Sequence, residues 1–195
     1  MFDPVLLMCT TCDSLDFLST KVNMEIEKLI KSLLNKLKQC ENELEVIKEL
    51  NILCTKEKSY QTLIASENET LKKIIVSSES LEVSLKAFQL LANLCVQNST
   101  AQKLVWDSCS DLIMLQLNSS NYKFVNVAAM ILHNMLLSGT NSIKINLVLS
   151  SCIEQAFKID PIPDFLHILL DHLICEKNIV ECLEENDQKN FLHYV

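Results

Sequence analysis

From residue 24 onward, apolar side chains return every three or four positions in runs that short polar stretches interrupt. Ile26, Leu29, Ile30, Leu33 and Leu37 share one side of a helix, while Glu27, Lys28, Lys31, Lys36 and Lys38 occupy the rest of its surface. That lysine run is a solvated helix face, with too modest a charge for a lipid-binding surface. A break at Glu41-Asn42 leads into a second helix, in which Leu44, Ile47, Leu50 and Leu53 again lie on one side. A short helix is expected over 60–65, then polar capping residues at 66–70, a helix over 71–76, a connector at 77–80 and a long helix over 81–96. The same order follows at 101–105, 111–117, the connector 118–121 and a helix over 122–137. Gly139 then stands where a helix C-terminus needs positive φ. Pro161 and Pro163 separate the last pair of helices.

The runs recur with a period of 41 residues. Leu50-Asn51-Ile52-Leu53-Cys54, with Gln61 seven residues after its cysteine, returns as Leu91-Ala92-Asn93-Leu94-Cys95 with Gln102 at the same distance. Leu71 and Ile74 fall on Leu112 and Leu115, Leu112 on Ile153, and Leu91, Asn93 and Leu94 on Leu132, Asn134 and Met135. A fainter fourth copy sets Phe165, Leu166, Leu169 and Leu173 under Phe124, Val125, Ala128 and Leu132. Matches between aliphatic positions are cheap in so apolar a chain, so Cys54/Cys95, Gln61/Gln102 and Asn93/Asn134 carry the weight. A period of about 40 to 47 residues belongs to the HEAT and armadillo solenoids. Two short helices, a connector and a longer third helix fit the armadillo pattern. One unit cannot cover its own apolar stripes, so neighbours stack. The stripe over Phe165, Leu169 and Leu173, with only a short polar tail after it, predicts an under-capped C-terminal end.

Composition narrows the choice of fold and chemistry. One glycine and three prolines in 195 residues leave little turn chemistry for strands, so the fold is all-α. The net charge is -8, and every one of the 17 cations is lysine, since the sequence contains no arginine. Nucleic-acid binding and bidentate phosphate recognition both lean on arginine, which makes a nucleic-acid partner unexpected. Nine cysteines, mostly inside apolar runs, are expected as buried thiols in a reducing, cytoplasmic setting. The N-terminus has no basic region before its short apolar stretch, so no signal peptide is expected. No apolar run reaches the ~20 residues of a membrane span. The glycosylation-like triplets at Asn68, Asn98 and Asn118 therefore carry no weight.

The chemistry-bearing candidates are few. Cys9 and Cys12 have the spacing of a redox pair or half a zinc site but lack a βα context and further ligands. His167, His172 and Cys175 lie close along one helical run with no additional ligand, which favours ordinary partly buried or surface histidines. No glycine-rich phosphate loop and no nucleophile elbow is present, and the acid pair Glu184-Glu185 sits in a polar tail. No catalytic residue, cofactor, metal or small-molecule substrate is expected. Trp106 reads as a wedge between units rather than an exposed anchor. Asn93 and Asn134 are the best binding candidates, because an asparagine amide can both donate to and accept from an extended peptide; it can equally tie down a neighbouring helix.

The runs around Asn93 and Asn134 resemble the armadillo signature, in which a leucine, a small residue, asparagine and leucine close the third helix. Residues 86–137 further resemble the N-terminal half of the ataxin-10 family. The likeness is carried by Gln89, Leu91, Asn93, Gln102, Val105 and Trp106, then by Leu115 and Leu117 before Asn118, and by Lys123, Val125 and Met130-Ile131-Leu132. This resemblance implies a cytoplasmic, non-enzymatic protein acting through protein contacts, with roles in neurite growth, neuronal survival and cell division. It also implies a short form or fragment, since family members continue into a conserved C-terminal region. The chain departs from the wider armadillo pattern: the glycine before the second helix is missing, and Gln89 and Met130 stand where import-type grooves carry tryptophan. The asparagine itself becomes Ile52 in the first copy and Cys175 in the fourth.

The sequence thus predicts an armadillo-like solenoid of about four units over 23–180 (24–58, 59–98, 99–139, 140–180), after a leader at 1–22 that can hold a short helix and before a polar tail at 181–195. Its expected function is a protein-protein interaction scaffold, with a groove on the third helices around Gln89, Asn93, Met130 and Asn134. The alternative is a structural piece of a larger solenoid, or a self-associating oligomer, with no dedicated groove.

Overall fold

The computed structural model describes residues 11–137 and 145–175, and among them every regular element is an α-helix. In chain order these are α1 (Thr11–Lys38), α2 (Glu43–Cys54), α3 (Lys58–Ala65), α4 (Asn68–Ser77), α5 (Leu81–Leu94), α6 (Ser99–Leu117), α7 (Tyr122–Leu137), α8 (Ile145–Lys158) and α9 (Asp164–Cys175). The cap expected at Gly139 and the tail at 181–195 lie outside the described residues.

The described part of the expected leader is continuous with α1, a single helix of 28 residues. Leu15, Leu18, Val22, Ile26, Leu29 and Leu33 keep three-or-four spacing with no glycine or proline among them, so the sequence offers no stop upstream of Met24. The helix closes with a Schellman arrangement: Glu41 N donates to Lys36 O at 3.0 Å and Cys40 N to Leu37 O at 3.1 Å. That geometry needs a left-handed residue, and Cys40 supplies it with φ 56°. Asn42 (φ 46°) and Gln97 (φ 52°) do the same at the entrances to α2 and α6. A side chain with a Cβ costs about 1 kcal/mol there, and glycine recovers roughly half of that after its own entropy cost. The double variant Cys40→Gly/Gln97→Gly should therefore melt about 2–4 °C higher. A lower melting temperature by calorimetry would show that these turns are held without strain.

The two short helices expected at 101–105 and 111–117 are fused into the 19-residue α6, whereas their counterparts α3 and α4 remain separate. At the first joint, Ser66 Oγ donates to the carbonyl three residues back, Leu63 O, at 2.7 Å, and Glu67 N to Ile64 O at 3.0 Å. Both bonds tighten the chain and stop the α-ladder. The counterpart of Ser66 one period on is Asp107, and next to it Ser108 Oγ reaches four residues back to Leu104 O at 2.8 Å, within a ladder that runs on. Fusion shifts the buried stripe beyond the joint. Leu71 and its counterpart Leu112 are both buried, but Leu115 is 66% exposed where Ile74 is 5%. The pairing of Ile74 with Leu115 read from the register is thus not an equivalence of environment.

Packing follows the period. The long helices lie beside one another in the order α2, α5, α7, α9, and α4, α6 and α8 stack in parallel sequence. One cluster of buried apolar side chains runs from Ile30 to Leu173. Positions 41 residues apart repeat within it: Leu91, Leu132 and Leu173 are buried, as are Leu71, Leu112 and Ile153. Phe88 of α5 and Phe124 of α7 meet with ring centroids 5.8 Å apart. Trp106 is partly buried and packed on the cluster. The stripe expected to lie open on α9 is covered by α7 and α8, since Leu166, Leu169, Leu170 and Leu173 are all buried. Among the described residues, the large apolar side chains exposed on α8 and α9 are Leu147, Phe157 and Ile168.

Candidate protein-binding groove

The repeated polar residues first serve the backbone. The last four carbonyls of a helix have no N–H of their own helix to accept from. Gln61 of α3 donates through Nε2 to Asn93 O at 3.3 Å, at the end of α5. Gln102 of α6 donates to Asn134 O at 3.2 Å, at the end of α7, and to Cys95 O at 2.7 Å. The same glutamine thus reaches the same carbonyl in two successive units. Asn98 caps α6 through Ala101 N at 3.1 Å and donates to Lys58 O at 2.8 Å and Gln61 Oε1 at 3.1 Å, joining the units.

The asparagines continue this pattern between long helices. Asn93 Nδ2 donates to Asn51 Oδ1 at 2.8 Å, linking α5 to α2. Asn134 Nδ2 donates to Ala92 O at 3.3 Å, linking α7 to α5. Asn126 Oδ1 accepts from Phe165 N at 2.8 Å and so ties the start of α9 to α7. Of the two uses open to Asn93 and Asn134, the amide nitrogens are committed to neighbouring helices.

An open groove of about 480 Å³ crosses the three long helices nearest the middle of the chain. Lys48, Asn51 and Ile52 line it from α2; Lys86, Gln89 and Asn93 from α5; and Met130 from α7. Three of the four residues named from the sequence therefore share one groove, and Asn134 is not in its lining. The 41-residue register explains the arrangement: Lys48, Gln89 and Met130 form one row across the helices, and Ile52 and Asn93 form the next. Lys48, Asn51, Ile52 and Lys86 were not among the expected site residues. The register itself was the signal for Lys48 and Ile52, whereas the places of Lys86 one period away are taken by the oppositely charged Glu45 and the apolar Val127.

The groove's electrostatics differ between its two lysines. Lys48 Nζ pairs with Glu45 at 2.7 Å, and that hydrogen bond raises its pKa, helped by the charge of Glu82 and opposed by partial burial. Lys86 Nζ donates to the neutral Gln89 Oε1 at 3.0 Å and forms no ion pair with a described residue.

The remaining candidates separate from this groove. Cys54, Cys95, Cys109 and Cys152 are buried, and burial raises their thiol pKa values, that of Cys54 to about 11. Such thiols stay protonated and weakly nucleophilic at neutral pH. Cys40 and Cys175 are exposed, and Cys9 and Cys182 lie outside the described residues. His167 Nδ1 lies 3.0 Å from Asp171 Oδ2, while His172 meets the His133 ring edge-on at 5.5 Å. Among the described residues no three His, Cys, Asp or Glu side chains gather as a metal site. No helix among them is long and apolar enough to cross a membrane.

His133 has a buried Nδ1 with no hydrogen-bond partner, and its pKa is lowered by burial and then by His172. An unfolded histidine binds its proton near pH 6.5, so on acidification the unfolded state takes up the proton first. Stability from this site is complete above pH 6.5 and falls as the pH drops below it toward the lowered native value. The urea midpoint should decline between pH 7.5 and pH 5, and His133→Gln should flatten that decline. An unchanged slope in the variant would remove His133 as its source.

No protein-family model matches the chain, and no curated protein or solved structure matches it either. The likeness to the ataxin-10 family rests on the residues quoted for it.

Proposed function

We propose that this chain is an armadillo-like solenoid that binds extended segments of other proteins across the α2–α5–α7 groove. The observation that carries this reading is the row of Lys48, Gln89 and Met130, one residue from each of three neighbouring helices, set 41 residues apart along an open groove. Rows at helix spacing offer a bound strand alternating polar and apolar contacts. The repeated tie from Gln61 to Asn93 O and from Gln102 to Asn134 O supports a true structural repeat of the armadillo kind. The resemblance to the ataxin-10 family adds a cytoplasmic, non-enzymatic scaffold with roles in neurite growth, neuronal survival and cell division.

The test must spare Asn93, whose amide also holds α5 to α2. Ile52 is 62% exposed, so Ile52→Glu should change stability by less than about 0.5 kcal/mol. In proximity labelling from cells, Ile52→Glu combined with Gln89→Ala should lose partners that the unmodified chain labels. Leu115→Ser, on the exposed side of α6, should keep them. An unchanged partner set for the groove variant would end this reading.

A second reading, docking of copies end to end, is favoured by apolar side chains exposed at both ends: Val22, Met24 and Leu29 on α1, and Leu147, Phe157 and Ile168 on α8 and α9. Sedimentation showing a monomer at high micromolar concentration would remove it.

A further inference from the structure

Resting on the groove function above, we propose that its occupant is an acidic extended peptide, with a carboxylate held by Lys86 beside Lys48 and aliphatic side chains set against Ile52 and Met130. The lining holds two ammonium groups, three side-chain amides and two apolar side chains, and no carboxylate. Both charged side chains of the lining are positive, on a chain whose net charge is -8, so an acidic segment finds charge compensation there.

The two lysines contribute unequally. Lys48 is already balanced by Glu45 one turn before it and feels Glu82 as well. Lys86 donates to the neutral Gln89 Oε1 and forms no ion pair with a described carboxylate. A peptide carboxylate accepting from Lys86 Nζ gains a charge-assisted hydrogen bond that the free protein lacks. It also draws the ammonium into the groove, where Gln89 already orients it.

Spacing sets the length and pattern of the occupant. Packed helix axes lie about 8–10 Å apart, and an extended chain advances about 3.3 Å per residue. A segment crossing from α2 to α7 therefore needs about six residues, roughly three per helix step. Alternate side chains of a strand point the same way, so the residues facing Ile52 and Met130 lie an even number of positions, two or four, from the acidic residue held by Lys86. The side-chain amides of Gln89 and Asn93 line the same groove, and an amide carries both a donor and an acceptor for a peptide backbone.

The test is selection of a phage-displayed random peptide library on the full chain at low salt. The selected consensus is then measured as a synthetic labelled peptide by fluorescence polarisation. The expected result is enrichment of Asp or Glu beside Leu, Ile or Val, with affinity weakened by added salt. Lys86→Glu should weaken the consensus about tenfold and Lys86→Gln by less, since reversal repels the carboxylate where neutralisation only removes its donor. Replacing the peptide's carboxylates by amides should match the Lys86→Gln loss. Peptides without acidic bias that still fail against Ile52→Glu would overturn the acidic partner and leave the groove standing. Peptides unaffected by both Lys86→Glu and Ile52→Glu would overturn the groove as well. A library that yields no binder would overturn the acidic peptide.

Discussion

Gln102→Ala should remove about 3 kcal/mol of folding stability. Gln102 is fully buried, and its Nε2 serves Cys95 O at 2.7 Å and Asn134 O at 3.2 Å. Those carbonyls belong to the ends of α5 and α7, and truncation leaves them without this donor in a dry interior. Each buried acceptor left unmade costs about 1–3 kcal/mol, and the small void adds to it. Gln61→Ala provides the internal comparison, since Gln61 holds the matching place one period earlier. Its bonds are longer, at 3.3 Å to Asn93 O and 3.5 Å to Val96 O, and it is 7% exposed, so water can partly replace it. The expected loss there is about half as large. Urea denaturation of both variants reads the difference directly. Equal losses, or a loss under about 1 kcal/mol at Gln102, would mean that the shared glutamine does not hold the helix ends together.

Phe88→Ala should cost about 4 kcal/mol, the upper range for a buried aromatic, because the ring is fully enclosed and paired with Phe124. For a chain of this length, that lowers the melting temperature by about 10 °C. The position matters as much as the size. α5 packs against α2, α3, α4 and α7, so the cavity opens at the junction between the first units and the later ones. Stacked repeats gain their cohesion from nearest-neighbour interfaces, and weakening a central one lets the two sides unfold separately. Calorimetry should therefore show a broadened or split transition in Phe88→Ala and a single one in Phe88→Leu, which keeps most of the volume at a cost of about 1 kcal/mol. A single sharp transition in the alanine variant would show that folding does not divide at α5.

Much of this architecture was legible in the residues because the marks that repeat are polar ones with an obligatory partner. A leucine can be replaced by any aliphatic side chain, but Gln61 and Gln102 recur because each meets a carbonyl at the end of the following long helix. The helix joints were less legible. Ser66 bonds three residues back at the joint, whereas its counterpart is Asp107 and the neighbouring Ser108 bonds four residues back; the register does not reveal that the helix stops at the first place and runs on through the second. The groove was half legible. Gln89, Asn93 and Met130 followed from the register, but Lys86 enters the lining through a side chain leaning on Gln89, one turn away on the same helix. Asn134 shares its chemistry with Asn93, but its amide is turned to Ala92 O, and the lining does not include it.

The merged α6 has a mechanical consequence. Nineteen residues at about 1.5 Å each make a strut of roughly 28 Å, braced by α3, α4 and α5 on one side of the chain order and by α7 and α8 on the other. Its unbroken ladder resists bending, whereas of the two residues at the α3–α4 joint only Ser66 N keeps a four-back bond, to Thr62 O at 3.1 Å, and Glu67 N turns three residues back to Ile64 O at 3.0 Å. Whatever flexing accompanies an incoming chain is thus concentrated upstream, at the α3–α4 elbow, and the later units move with the strut as one piece.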